Sequence, residues 1–281
     1  GRGGVRPKTC LAALNCKVAR APLHWSSTDR LQEQPMKLDD RVALVTGASG
    51  GIGKATARRL LQAGARVMLV GRHQDKLDAA SAELAKEGDA DRIATFVCDV
   101  AQEDQVVAAV AATVKRFGHW DIAVNNAGLM EFKKIEEQTA DDWRGVLDVD
   151  LLGAFYVIKQ AFLTMPQGGA VVNVSSVHAM KTEPLVAPYA AAKAALLSLT
   201  RSASIEGKDK GVRVNAVVPG AVDTPMLWDN PNVKSGAEKI DKSDVGQPDD
   251  IAAAIVFLAS ADAAFIKGTA LEVDGGRLAK L

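Results

Sequence analysis

From residue 41 onward the chain alternates between short apolar runs and longer segments of helical period. The runs are Arg41–Thr46, Arg66–Val70, Ile93–Cys98, Asp121–Asn125, Ala170–Ser175, Val212–Val218 and Ala270–Val273. Between them, apolar residues recur at helical spacing over 51–63, 74–87, 102–117, 139–165, 188–207 and 248–260. Strands that are apolar throughout, rather than at every second position, are buried on both faces, as in a parallel sheet. Strand–helix alternation with right-handed crossovers predicts an α/β fold: a doubly wound, Rossmann-type single domain with a seven-stranded parallel sheet. In such sheets ligands bind beyond the carboxyl ends of the strands, so residues at those ends are the first candidates for a site.

Residues 1–38 do not share the pattern. They contain Arg2, Arg6, Lys8, Lys17, Arg20 and Arg30 but only Asp29 and Glu33 as acids, and the first methionine is Met36. Three readings stand: a leader outside the fold, the remnant of an Arg-rich transit peptide, or a functional arm. The fold is expected over 39–281, with 1–38 as an N-terminal extension.

Composition narrows the function. Apolar residues make up 48% of the 281 positions and the formal net charge is zero, which gives no electrostatic case for nucleic acid or an anionic membrane. No apolar run approaches the roughly 18 residues of a membrane span. Cys10, Cys16 and Cys98 are too few and too scattered for a disulfide framework, which points to a reducing, cytoplasmic setting. The four histidines show no metal-ligand spacing, so no metal is expected.

Two motifs carry chemistry. The first strand runs into Thr46-Gly47-Ala48-Ser49-Gly50-Gly51-Ile52-Gly53 and then a helix. Glycines there allow a tight turn and close approach to a pyrophosphate, which the helix N-terminus attracts. Further on, Tyr189 and Lys193 stand four residues apart, on one face of a predicted helix. An ammonium beside a phenol lowers the phenol's pKa and makes it a candidate proton donor and acceptor. Alone, such a pair is more often two surface side chains.

Taken together, the glycine loop, Asp99-Val100, Asn125-Asn126-Ala127-Gly128, Ser175-Ser176, Tyr189-x-x-x-Lys193 and Pro219-Gly220 recur in an order that resembles the short-chain dehydrogenase/reductase family, in its compact single-domain branch. The resemblance covers residues from about 38 to 277. It implies hydride transfer between a nicotinamide dinucleotide and a carbonyl or secondary alcohol. Tyr189 would be the general acid/base, Lys193 would lower its pKa and hold the nicotinamide ribose, and Ser176 would orient the substrate; Ser175 competes with it from sequence alone. Gly47, Ser49, Gly51, Ile52 and Gly53 would cradle the pyrophosphate. Asp99 and Val100 would meet the adenine, and Asn126, Ala127 and Gly128 would pass the ribose. Pro219, Gly220 and Thr224 would border the nicotinamide. His178 and Trp228 are candidates for the substrate wall, with Met180, Glu183 and Met226 nearby.

Two positions need separate argument. Where the family has a catalytic asparagine in Asn-Leu-x-Gly, this chain has Asp150 in Asp150-Leu151-Leu152-Gly153. An ionised carboxylate accepts hydrogen bonds but offers no amide donor. Near Lys193 it would offset the lysine charge and raise the tyrosine pKa. At the end of the second strand, where an acid favours NAD, Arg72 follows Gly71. A guanidinium suits a 2′-phosphate, so NADP is the preferred cofactor and NAD the alternative. Gly50 argues the other way, because many NADP-dependent relatives carry a basic residue there.

The expected partner is a small-molecule carbonyl or alcohol, with no nucleic acid and no membrane. The Ala-, Val- and Leu-rich helices at 139–165 and 188–207 would pack across two-fold axes, as in relatives, giving a homotetramer. Two other readings remain open. One is an NAD-dependent polyol or sugar dehydrogenase. The other is a catalytically weak, dinucleotide-binding regulator, favoured by Asp150 and opposed by the intact Ser176, Tyr189 and Lys193.

Overall fold

In the computed structural model the described residues are 1, 3 and 37–280. The expectations for the extension at 1–38 fall almost wholly outside them.

Seven parallel strands form one sheet: β1 (Val42–Thr46), β2 (Arg66–Gly71), β3 (Ile93–Val97), β4 (Ile122–Asn125), β5 (Gly169–Val174), β6 (Val212–Pro219) and β7 (Ala270–Val273). Their order is β3-β2-β1-β4-β5-β6-β7. The strands match the apolar runs to within one residue at every end. The reason is visible in β1, where all five residues are buried but alternate between two cores. Ala43 and Val45 join the cluster beneath α1 (Gly51–Gln62), α2 (Gln74–Leu84) and α9 (Pro248–Ala259). Val42 and Leu44 join the cluster beneath α3 (Glu103–Phe117), α5 (Gly153–Thr164) and α6 (Ala187–Lys210). With helices on both faces, neither side of a central strand can be polar.

The segment at 139–165 departs from expectation. It is not one α-helix but α4 (Ala140–Leu147), a π-helical turn at Asp148–Leu152, and α5. Thr139 caps α4 in a capping box with Asp142, so the start is well defined. The π turn holds Asp150, and such turns concentrate at functional sites because they redirect a side chain without ending the helix. Gly153 follows directly; a Cβ there would lie 2.9 Å from Val100 Cγ2, so only glycine lets this helix close on the loop after β3.

Three short helices not anticipated from the pattern follow β6 and β7: α7 (Pro225–Trp228), α8 (Pro231–Lys234) and α10 (Arg277–Lys280). Strand order reverses between β1 and β4, whose carboxyl ends carry the glycine loop and Asn126. That is where a doubly wound sheet opens a crevice.

Candidate active site

The glycine loop is built for close approach. Gly47 has φ +63°, a left-handed conformation that side chains disfavour. A Cβ on Gly53 would fall 2.3 Å from the Gly47 carbonyl oxygen and 2.6 Å from Asn126 Nδ2. The loop is tied to β4 through Thr46, whose hydroxyl accepts from the N–H groups of Asn126 and Ala127, both at 3.0 Å. Asn126 Nδ2 in turn donates to the carbonyls of Thr46 at 3.0 Å and Gly47 at 3.1 Å. No side chain caps the N-terminus of α1, so its first-turn N–H groups remain available to an anion. Loop and helix therefore fit a dinucleotide pyrophosphate.

Asn125 is buried in the sheet. Its amide donates to Asn173 Oδ1 at 2.8 Å, and Asn173 donates to Thr200 Oγ1 at 2.8 Å. This chain of amides locks β4 to β5 and β5 to α6, the helix that bears Tyr189 and Lys193.

Those two residues lie one turn apart near the start of α6, both buried, with Lys193 Nζ 5.4 Å from the centre of the Tyr189 ring. Lys193 donates to the Val174 carbonyl at 3.0 Å and forms an ion pair with Asp150 Oδ2 at 3.0 Å. The other oxygen of Asp150 accepts from the Leu129 N–H at 2.7 Å. A Cβ on Gly128 would stand 3.2 Å from Asp150 Oδ2, so the glycine leaves room for the pair.

Burial and charge oppose each other here. Burial pushes the Asp150 carboxyl above the usual carboxylate range, against the pull of Lys193 and of the Leu129 N–H. Burial also depresses Lys193, but the Asp150 carboxylate and Tyr189 together outweigh it and hold the ammonium above its ordinary value. For Tyr189, burial is the largest influence and raises the phenol; Lys193 lowers it, Asp150 raises it again, and a hydrogen bond with Ser176 lowers it. The net direction is upward. Lys193 thus acts in the expected direction, but burial together with Asp150 outweighs it, so the phenol does not fall toward working pH.

The two serines separate cleanly. Ser175 donates to the Lys193 carbonyl at 2.9 Å and so braces α6. Ser176 accepts from the His178 N–H at 3.2 Å and hydrogen-bonds Tyr189. His178 packs edge-on against Tyr189, ring centres 5.8 Å apart, and burial lowers its pKa.

A cavity of ≈ 300 Å³ joins these parts. Gly47, Gly51, Ile52, Asn126, Ala127 and Gly128 line one side. Ser176, His178, Tyr189 and Lys193 form its centre, bordered by Pro219, Gly220 and Thr224. Met130, Val177, Met226 and Leu227 supply apolar surface, and Asn230, Glu238 and Arg277 a polar wall.

Several expected residues stand outside this cavity. Asp150 is behind Lys193. Ser49, Gly53 and Val100 do not line it; Val100 is buried against Gly153. Asp99 accepts from the Ala101 N–H at 3.1 Å, which closes its own turn. Arg72 is exposed just past β2. Trp228 does not line the cavity; its indole donates to Asp223 Oδ1 at 2.7 Å and the side chain is exposed. Met180 is also exposed. Asn230, Glu238 and Arg277 were not anticipated, because isolated polar residues after the last helices follow no spacing rule. Cys98 is buried and its thiol is pushed up to about 12, which leaves it unreactive.

With this geometry established, comparison with known proteins is decisive. Residues 47–277 match the model of the family described as Enoyl-(Acyl carrier protein) reductase. The crystal structure of levodione reductase superposes with a TM-score of 0.79 at 36% identity, over 86% of this chain and 99% of that one. The chain belongs to the short-chain dehydrogenase/reductase family. It is also 40% identical to cis-4-hydroxycyclohexanecarboxylate dehydrogenase of Sinomonas cyclohexanicum, over 84% of this chain and 96% of the relative. D-threitol dehydrogenase of Mycolicibacterium smegmatis is 37% identical, over 85% and 94% respectively. The protein is therefore an oxidoreductase that uses a nicotinamide dinucleotide and acts on alcohol or ketone groups of small molecules. Among the described residues no helix is long and apolar enough to cross a membrane, and no group of acids, histidines or cysteines is arranged to hold a metal.

Proposed function

We propose that the chain is an NADP-preferring reductase of ketones, reversible as an alcohol dehydrogenase, whose catalytic domain spans residues 39–281 with 1–38 outside it. The observation that carries this reading is the convergence of Ser176, Tyr189 and Lys193 on one cavity edged by the glycine loop. When bound, the nicotinamide supplies or accepts the hydride. Tyr189 gives its phenolic proton to the carbonyl oxygen in reduction and takes it back in oxidation. Ser176 holds that oxygen through its hydroxyl. Lys193 stabilises the phenolate that forms and carries donors for the ribose hydroxyls. Because burial raises the Tyr189 phenol, it stays protonated at neutral pH, which suits the acid role in reduction.

Arg72 supports NADP, as an exposed cation beside the end of β2. The second reading, an NAD-dependent polyol dehydrogenase, draws on Gly50 in the loop and on the likeness to D-threitol dehydrogenase. A panel of carbonyls and alcohols assayed with both cofactors, by nicotinamide absorbance, separates the two. Lack of turnover with every pair would overturn both and revive a binding-only role.

We expect a cytoplasmic homotetramer. Supporting this, Phe155, Leu163 and Ile205 on α5 and α6 are apolar yet exposed in the single chain. A monomeric mass by light scattering would refute the assembly.

A further inference from the structure

The polar wall of the cavity belongs to a charge cluster of two acids and one guanidinium. Arg277, opening α10, pairs with Glu238, which follows α8. The carboxyl groups of Glu238 and Glu183 hydrogen-bond each other. Asn230 Nδ2 donates to Glu183 Oε1 at 2.7 Å, and Asn232 Nδ2 donates to the neighbouring Pro184 carbonyl at 3.0 Å. Three stretches of chain thus meet: the loop leading to Tyr189, the lid at 225–238 and the C-terminal helix. Arg277 and Glu238 are mostly buried, with side-chain exposures of 21% and 17%.

Two carboxyl groups hydrogen-bond each other only while one of them holds a proton. While that proton is held the single guanidinium balances the one negative charge, and as it leaves, near pH 7, the cluster becomes net negative. Glu238, Arg277 and Asn230 all face the cavity, beside Met226 and Leu227. A substrate carboxylate entering here would be a third acid against one cation, and like charges in a desolvated site are costly. A hydroxyl, by contrast, can donate to the free lone pairs of Glu238 without adding charge.

Taking the carbonyl or alcohol oxidoreductase reading as given, we propose that Glu238 and Arg277 are specificity-determining residues, which select a neutral aliphatic or alicyclic substrate bearing a second hydroxyl and reject one bearing a carboxylate. The aliphatic frame would lie on Met130, Met226 and Leu227, and its second hydroxyl would donate to Glu238.

The test is calorimetric binding, in the presence of NADP⁺ near neutral pH, of two ring ligands matched in size: cyclohexane-1,4-diol and 4-hydroxycyclohexanecarboxylate. The native protein is expected to bind the diol about tenfold more tightly. In Glu238→Gln the amide still donates to Glu183, but Arg277 loses its anionic partner. The carboxylate ligand then gains, and the preference falls below about threefold. Arg277→Gln removes the cation and should widen the preference; it also serves if the first variant fails to fold. Tighter binding of the carboxylate, equal binding, no binding of either ligand, or a ratio unchanged in the variants would each overturn the proposal. Turnover of cyclohexanone with NADPH is measured separately. A diol preference without turnover would sink the catalytic reading and leave the selectivity standing, whereas turnover without the preference would do the reverse.

Discussion

Asp150 Oδ2 lies 3.0 Å from Lys193 Nζ, with both side chains almost fully buried. The lysine that would activate Tyr189 is therefore partly neutralised from behind. Asp150 raises the phenol's pKa while Lys193 lowers it. In Asp150→Asn the raising influence is removed, so the Tyr189 phenol should titrate at lower pH. The acid limb of the pH–rate profile for alcohol oxidation should move downward accordingly. Identical profiles for the two proteins would remove Asp150 from control of the proton donor.

The same pair makes a stability prediction. Removing one partner of a buried ion pair leaves the other charge uncompensated, at a cost of about 3–5 kcal/mol. Asp150→Ala should approach that loss, because Leu129 N–H also loses its acceptor. Asp150→Asn keeps an oxygen for one of them and should lose clearly less. Urea unfolding midpoints of both variants provide the comparison; equal losses would mean that charge, not hydrogen bonding, dominates at this position.

Cofactor choice turns on Arg72, which is exposed and has no hydrogen-bond or ion-pair partner among the described residues. Charge-assisted bonds from a guanidinium to a phosphate contribute about 1.5–3 kcal/mol. Arg72→Ala should therefore raise KM for NADPH about tenfold or more, while KM for NADH changes little. Equal effects on both cofactors would show that Arg72 only stacks on the adenine.

Close packing of the glycine loop sets a further expectation. At Gly53 an added Cβ would meet backbone at 2.3 Å, and backbone cannot swing aside as a flexible side chain can. Gly53→Ala should destabilise the fold by about 1–3 kcal/mol and weaken dinucleotide binding, because the Gly47 turn must shift. Thermal unfolding with and without cofactor would report both effects. An unchanged midpoint together with unchanged affinity would mean the loop has slack that its geometry does not suggest.

The sheet was legible because parallel strands buried on both faces leave unbroken apolar runs, as in β1 and β5. Tyr189, Lys193 and Ser176 were legible only through the ordered set of motifs that carries the family resemblance, since the Tyr–Lys spacing alone fits a surface pair and Ser175 competes with Ser176. The π turn at Asp148–Leu152 was not, since its sequence keeps helical periodicity on either side. Nor was the net rise in the Tyr189 phenol, which depends on how deeply tertiary packing buries it. Glu183, Glu238 and Arg277 come from three distant stretches, so no local pattern could announce that they meet.

That meeting has a pH signature. Burial, and then the hydrogen bond and charge of Glu183, raise Glu238 from its ordinary 4.5 to about 7, against the pull of Arg277. Glu183 is shifted the other way, since burial is outweighed by its hydrogen bonds to Glu238, Asn230 and Asn232 and by His178. The charged groups facing Glu238 are thus Glu183 and Arg277, and Glu183 in turn interacts with His178, whose pKa burial lowers. A carboxyl raised in the folded state stabilises it fully below the ordinary value and loses that contribution as pH rises through the folded value. From about pH 4.5 to 7, the melting temperature should therefore fall as the proton leaves, and the lid at 225–238 should loosen from the Tyr189 loop. Just above that window KM for the substrate should rise while kcat for carbonyl reduction changes little, because the Tyr189 phenol, raised from its ordinary 10.0, titrates at much higher pH. In Glu238→Gln, which cannot lose a proton, both dependences should flatten. A melting temperature and a KM that respond to pH equally in the native protein and the variant would show that this carboxyl pair does not hold the lid.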